Sequence, residues 1–235
     1  MYDTQPENTP ASRLDPKNCG EPGDHGPRDG LWLKVQECIS AGNCVDVDKA
    51  QRCAVMHGGL VVPIDRVKGI ECYTIWQPGA PNYWHSAWEY VCKHMPPAST
   101  GLGINSKSAR TKDQLHIHMA DFHERASGDL VHELKGQQKN MAPYSGKSWA
   151  ESLVTATGWV ASAQKWEQRK YRAHHVLNLG SNLFETLQKE VAPSSERMQE
   201  QTMIVIPAPQ GFYVLNSEKG IRDGTSTCDY LLRCN

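Results

Sequence analysis

No apolar run in this 235-residue chain approaches the roughly 20 residues needed to cross a bilayer, and stretches such as Thr202 to Ala208 fall far short, so no spanning helix is expected. Charge of one sign is not in excess either. The 25 Lys and Arg against 26 Asp and Glu leave a formal net charge of -1, which gives no global electrostatic drive toward nucleic acid or an anionic membrane surface. Any affinity for phosphate must therefore be local, and peripheral membrane contact stays open. The residues after Met1, Tyr2 to Asn8, lack both the basic start and the apolar segment of a secretory leader. Internal repeats are not apparent. The eight cysteines (Cys19, Cys38, Cys44, Cys53, Cys72, Cys92, Cys228, Cys234) lack the paired CxxC spacing of a structural zinc knot, so neither a metal site nor a cofactor is expected.

Their even number fits disulfides instead, and with them a secreted or periplasm-like compartment; buried free thiols in a cytosolic protein are the alternative. Cys38 and Cys44 flank a short turn at Ala41 to Asn43 and are placed to close a small loop. The pair Cys228 and Cys234 is placed to staple the C-terminal end to the body.

With 39% hydrophobic and 22% charged residues the chain can bury a substantial core. Residues 1–28, rich in Pro, Gly, Asp and Asn without apolar periodicity, are expected to form a flexible arm, and 29–235 one domain. Leu31, Trp32, Val35, Cys38 and Ile39 recur at helical spacing up to Gly42. Short β-branched runs at 53–56, 60–64 and 69–75 predict a meander of strands. A second helical stripe, Tyr83, Trp84, Ala87, Trp88, Val91 and Cys92, lies between Pro81 and Pro96. Strands are predicted again at 102–106 and 115–122, mostly helix at 128–190, and a closing hairpin at 202–206 and 211–215. This order makes the class α+β rather than a doubly wound sheet.

The chemistry-bearing stretch is Gln114-Leu115-His116-Ile117-His118. In an extended strand Gln114, His116 and His118 share one face and Leu115, Ile117 and Met119 the other, which presents imidazoles to a groove as nucleophile, base or metal ligand. Spacing alone does not choose among these roles. Asn105, Lys107, Ser108, Arg110 and Thr111 lie just upstream and are a donor set suited to phosphate oxygens. Tyr73, Trp76, Trp84 and His85 are candidate lining for a nucleotide or acyl-chain pocket, although Trp84 and Trp88 also fit plain core packing. His174 and His175, beside Arg169, Lys170 and Arg172, are read as a solvated helix face.

The segments Val62-Pro63-Ile64-Asp65-Arg66, Pro81-Asn82-Tyr83-Trp84-His85, Ile104-Asn105-Ser106-Lys107 through Arg110-Thr111, and His116-Ile117-His118 together resemble the CDP-diacylglycerol pyrophosphatases of the histidine-triad superfamily. The likeness covers most of 30–235; the arm and the stretch from about 136 to 170 look like additions. It implies a histidine-triad-like antiparallel sheet with helices packed on it, a helical C-terminal portion closed by a β-hairpin, and no obligatory metal. It also implies that His116, at the middle triad position, attacks a pyrophosphate phosphorus to form a nucleotidyl-imidazole that water then opens. His118 takes the third position, and Lys107, Arg110, Thr111 and Asn105 would serve the phosphoryl oxygens. The expected partner is a small molecule, a nucleotide-linked lipid or another amphipathic ligand. The first triad position departs from the pattern: it is Gln114, and an amide cannot relay a proton. Two alternatives follow, a family member recruited to a different, non-hydrolytic reaction in specialised metabolism, or a nucleotide- or lipid-binding protein without turnover.

Overall fold

A computed structural model describes residues 19–123 and 130–234; most of the arm expected over 1–28 lies outside the described residues. The part of that arm which is described is fastened to the body: Cys19 is disulfide-bonded to Cys72 and Asp24 pairs with Lys68 at 2.9 Å.

Helix α1 (Gly30–Ala41) buries Leu31, Trp32, Val35 and Cys38 and stops where Gly42 adopts φ 68°, its N–H bonding the Cys38 carbonyl. The Cys38–Cys44 disulfide closes the turn beyond it. Strands β1 (Asp46–Asp48), β2 (Cys53–Met56) and β3 (Leu60–Pro63) follow as an antiparallel meander. Helix α2 (Tyr83–His94) is capped by the Asn82 side chain, which accepts from the His85 N–H, and buries Tyr83, Trp84, Ala87 and Val91. Then come β4 (Thr100–Ile104), β5 (Ile117–Asp121), α3 (Leu130–Gly136), β6 (Leu153–Val160), β7 (Lys165–Val176), α4 (Leu183–Glu190), α5 (Ser195–Met198), β8 (Thr202–Pro207) and β9 (Phe212–Ser217). All nine strands join one antiparallel sheet in the order β1-β2-β3-β5-β4-β8-β9-β7-β6.

Strand alternation divides the side chains between two faces. Leu102, Ile117 and Met119 join the core beneath α2 and α4 with Trp84, Phe184 and Leu187. The opposite face packs Leu134 of α3, Ile204, Leu215, Cys228 and Leu232, and α1 covers its β2–β3 end through Leu31, Val35 and Val62. His118 lies on this second face, with Gly103 of β4 on one side and Leu60 of β3 on the other.

The predicted α+β class, both long helical stripes and the closing hairpin are present, but two segments differ. Residues 69–75 are a turn and a short 3-10 helix (Tyr73–Ile75) rather than a strand. Within 128–190, predicted mostly helical, the long β6–β7 hairpin replaces the helix. Val154, Ala156, Gly158 and Val160 of β6 alternate inward, so sheet pairing overrides the helix-favouring Lys, Glu, Gln and Arg content of β7.

Candidate active site

The histidine strand starts later than predicted. β5 begins at Ile117, so Gln114 to His116 form its approach, where Leu115 N–H bonds the Val67 carbonyl at 2.6 Å. Gln114 is fully buried. Its amide donates to the Pro63 and Asp65 carbonyls at 3.0 and 2.8 Å, and its Oε1 accepts from the Val67 N–H at 3.2 Å and from Arg66 Nη1 at 3.3 Å. The side chain expected on the groove face is thus a clip that ties the approach to the residues following β3.

The backbone carbonyl of the same residue lies 2.7 Å from His116 Nδ1. A carbonyl can only accept, so Nδ1 carries the ring proton and Nε2 keeps its lone pair. Burial, reinforced by His118, pushes the His116 pKa down to about 4 against this hydrogen bond, which leaves the ring neutral near pH 7. The two imidazoles meet edge-on, with ring centroids 4.9 Å apart at 68°.

His118 is only 8% exposed, and its Nε2 is buried without a well-formed hydrogen bond among the described residues. Burial works against its positive charge, yet the neighbouring Cys234 and Asp229 hold its pKa above the ordinary value. Hydrogen bonding to Cys228 brings the Cys234 thiol down to about 7 despite burial, with His118 adding to the effect. Burial drives the Cys228 thiol well above the usual range.

Both histidines line a cleft of about 580 Å³. Helix α1 supplies Leu31 and Lys34 to its wall, the β2–β3 turn supplies Met56, His57 and Leu60, and the loop before the histidines supplies Thr111 and Lys112. The cleft therefore sets two lysines, the Glu37 carboxylate and three imidazoles beside an apolar surface.

Of the predicted phosphate-binding loop, only Thr111 reaches this cleft. Lys107 Nζ bonds Gln199 Oε1 at 3.0 Å, beside a separate pocket. Asn105 accepts from the Cys228 N–H at 2.8 Å and reaches Asp229 with its amide at 3.4 Å. Arg110 is buried in a two-pronged pair with Glu71, at 2.8 and 2.7 Å, and also bonds Asp113. Burial opposes its charge, but these carboxylates outweigh it and raise its pKa; the guanidinium acts on the site only as a nearby charge that lowers the His116 pKa.

The aromatic lining is corrected as well. Trp76 and Trp84 are core residues on the other sheet face, Tyr73 packs against that core, and His85 is exposed on α2. None of the four borders the cleft. His123, just past the strand end, bonds the Asp229 carbonyl at 2.9 Å. His174 and His175 stand on β7 rather than on a helix; His175 bonds Tyr144 and the Gln210 carbonyl, and Arg172 pairs with Glu218.

Sequence reasoning passed over Lys34, His57 and Lys112. Lys34 had a signal, since it stands three residues after Leu31 and so shares its helix face. Cys228 and Cys234 had none nearby. They are unbonded thiols rather than the expected staple, with sulfurs 3.8 Å apart.

The chain is similar to proteins of one known family. The family profile described as CDP-diacylglycerol pyrophosphatase matches residues 26–232. A probable CDP-diacylglycerol pyrophosphatase of Mycobacterium leprae is 27% identical over 213 residues, covering 81% of this chain and 74% of the relative. Those named CDP-diacylglycerol pyrophosphatase from Mycobacterium bovis and Mycobacterium tuberculosis are 23% identical over 217 residues, covering 83% of this chain and 78% of each relative. The match spans nearly all the described residues, His116, His118 and the cleft included, and the chain belongs to the CDP-diacylglycerol pyrophosphatase family.

Proposed function

We propose that this protein hydrolyses the pyrophosphate bond of a CDP-linked lipid, CDP-diacylglycerol or a related nucleotide diphosphate, to CMP and a phosphomonoester, with His116 as the attacking group. The observation that carries this is the Gln114 carbonyl against His116 Nδ1, which leaves an unprotonated Nε2 on a ring lining the cleft. Nε2 forms a bond to the nucleotide-side phosphorus while the P–O bond to the lipid phosphate breaks, its electron pair leaving with the lipid phosphate. Water then attacks the nucleotidyl-His116 phosphorus, the N–P bond breaks, and CMP departs with the ring restored.

Lys34 and Lys112 offset charge on the diphosphate, and Thr111 is a further donor. Leu31, Met56 and Leu60 offer apolar surface to the lipid portion. His118 abuts the attacking ring and completes the histidine-triad relationship that the sequence resemblance implies. Gln114, at the first triad position, is a positioning residue: its buried amide fixes the backbone whose carbonyl holds His116. An orienting role needs no proton relay, so the substitution is compatible with hydrolysis. Incubating the disulfide-intact chain with CDP-diacylglycerol and resolving the products tests this. CMP with phosphatidate is expected; CDP with diacylglycerol, or no turnover, overturns it.

A further inference from the structure

We infer that His118, Cys228 and Cys234 form a binding site for a thiophilic divalent cation of the zinc class. A ring nitrogen of His118 and the two sulfurs all lie within 4.8 Å of one another. Two sulfurs bound to one tetrahedral zinc at ~2.3 Å each stand ~3.8 Å apart, and the Cys228 and Cys234 sulfurs are separated by 3.8 Å. His118 and Cys228 are at least nine-tenths buried, and Nε2 of His118 lacks a well-formed hydrogen bond among the described residues. The Cys234 thiol is the polar neighbour of this buried imidazole, and the two thiols with the ring form a soft donor set that selects zinc over magnesium or calcium.

The fold brings these groups together by several backbone contacts. Gly103 is the β4 residue opposite His118, and a Cβ there would stand 2.7 Å from the Cys228 Cβ and 2.9 Å from its sulfur. Glycine thus lets Cys228 lie flat against the sheet beside the histidine. The C-terminal segment is held along the end of β5 by His123 N–H to the Leu231 carbonyl at 3.1 Å and Arg233 N–H to the Asp121 carbonyl at 2.9 Å. Both sulfurs are therefore held in place by the backbone. A cleft of about 400 Å³ bordered by His118, Met95, Arg233 and Cys234 leaves room for a fourth ligand such as water.

The site does not depend on the pyrophosphatase reading. Its consequence for that reading is mechanical: a bound cation would join β5 to the C-terminal segment and lock the His118 ring against His116. The rival chemistry is a third disulfide, since the same six-residue separation is bridged between Cys38 and Cys44.

The test uses the full chain with Cys19–Cys72 and Cys38–Cys44 formed, purified without a metal-affinity step, exposed to zinc and desalted. Elemental analysis should find one zinc per chain, and zinc should protect Cys228 and Cys234 from alkylation. Cobalt in place of zinc should give thiolate-to-metal charge-transfer absorption in the near ultraviolet. That absorption should weaken in Cys228→Ser and Cys234→Ser and change its visible bands in His118→Asn. The cobalt spectrum of the unaltered chain keeps the test valid if a variant fails to fold. Free thiols with neither retained zinc nor a cobalt spectrum would overturn the site. So would peptide mapping without reductant that recovers Cys228 joined to Cys234.

Discussion

The Nδ1 of His116 lies 2.7 Å from the main-chain carbonyl of Gln114, two residues earlier on the same chain. One residue thereby fixes both the position and the tautomer of the ring, since its amide is bonded on all sides and its carbonyl can only accept. Histidine at 114 would place an imidazole among groups arranged for a carboxamide. Gln114→His is expected to lose part of the four-bond clip and to lower stability by about 1–3 kcal/mol, the range for leaving buried polar groups unpaired. CMP release per folded molecule should not rise. Denaturant unfolding with a parallel assay checks both, and a large gain in turnover would show that position 114 needs a proton carrier.

The division of labour among the cations is testable. Lys34→Ala and Lys112→Ala should each raise KM for CDP-diacylglycerol about tenfold, equivalent to ~1.4 kcal/mol of charge-assisted contact, with kcat less affected. Lys107→Ala should leave both constants unchanged, because Lys107 faces Gln199 and a different pocket. Steady-state kinetics on the three variants distinguishes this from the sequence expectation, in which Lys107 holds phosphate.

Arg110 and Glu71 form a buried pair, with side chains 3% and 2% exposed. Removing the carboxylate in Glu71→Ala strands a guanidinium in the interior and should cost about 3–5 kcal/mol. Equilibrium unfolding reads the loss. A change below ~1 kcal/mol would mean that Arg110 finds another partner, such as Asp113.

Stability should fall on acidification in part through Glu218. Burial opposes ionisation of this carboxyl, but hydrogen bonds from Arg172 and Gln201 and the charges of Arg172 and Arg197 outweigh it and hold the pKa below the usual range. A depressed folded-state pKa contributes stability that is fully present above the unfolded value of ~4.3 and is lost as pH falls through the folded value. Glu218→Gln should therefore destabilise the protein at pH 7, and the gap to the unaltered chain should shrink below about pH 4. Unfolding curves at several pH values check the sign; a gap that widened in acid would contradict it.

Much of this fold is legible from residue spacing. Leu31, Trp32, Val35 and Cys38 mark α1, the Tyr83 to Val91 stripe marks α2, and Thr202–Pro207 with Phe212–Ser217 form the closing hairpin. Pairing His116 with His118 on one face needed only alternation. Gln114 did not follow, because the chain before Ile117 turns to bond the loop after β3 and leaves the strand period. β7 was hidden because Lys165 to Arg172 has helix-favouring composition, and only its pairing with β6 and β9 makes it extended. Tyr73, Trp76 and Trp84 fit pocket lining and core equally by type, because composition does not reveal which sheet face a side chain occupies. The approach of Cys228 to His118 depends on Gly103 and on the path of the last residues, neither of which is a local signal.

The most direct measurement is the rate of CMP release from CDP-diacylglycerol by His116→Ala, whose far-ultraviolet circular dichroism and disulfides match those of the unaltered chain. If His116 is the attacking group, the rate should fall by about 1,000-fold or more, the scale seen when a nucleophilic side chain is removed. Release within about threefold of the unaltered chain would contradict attack by His116.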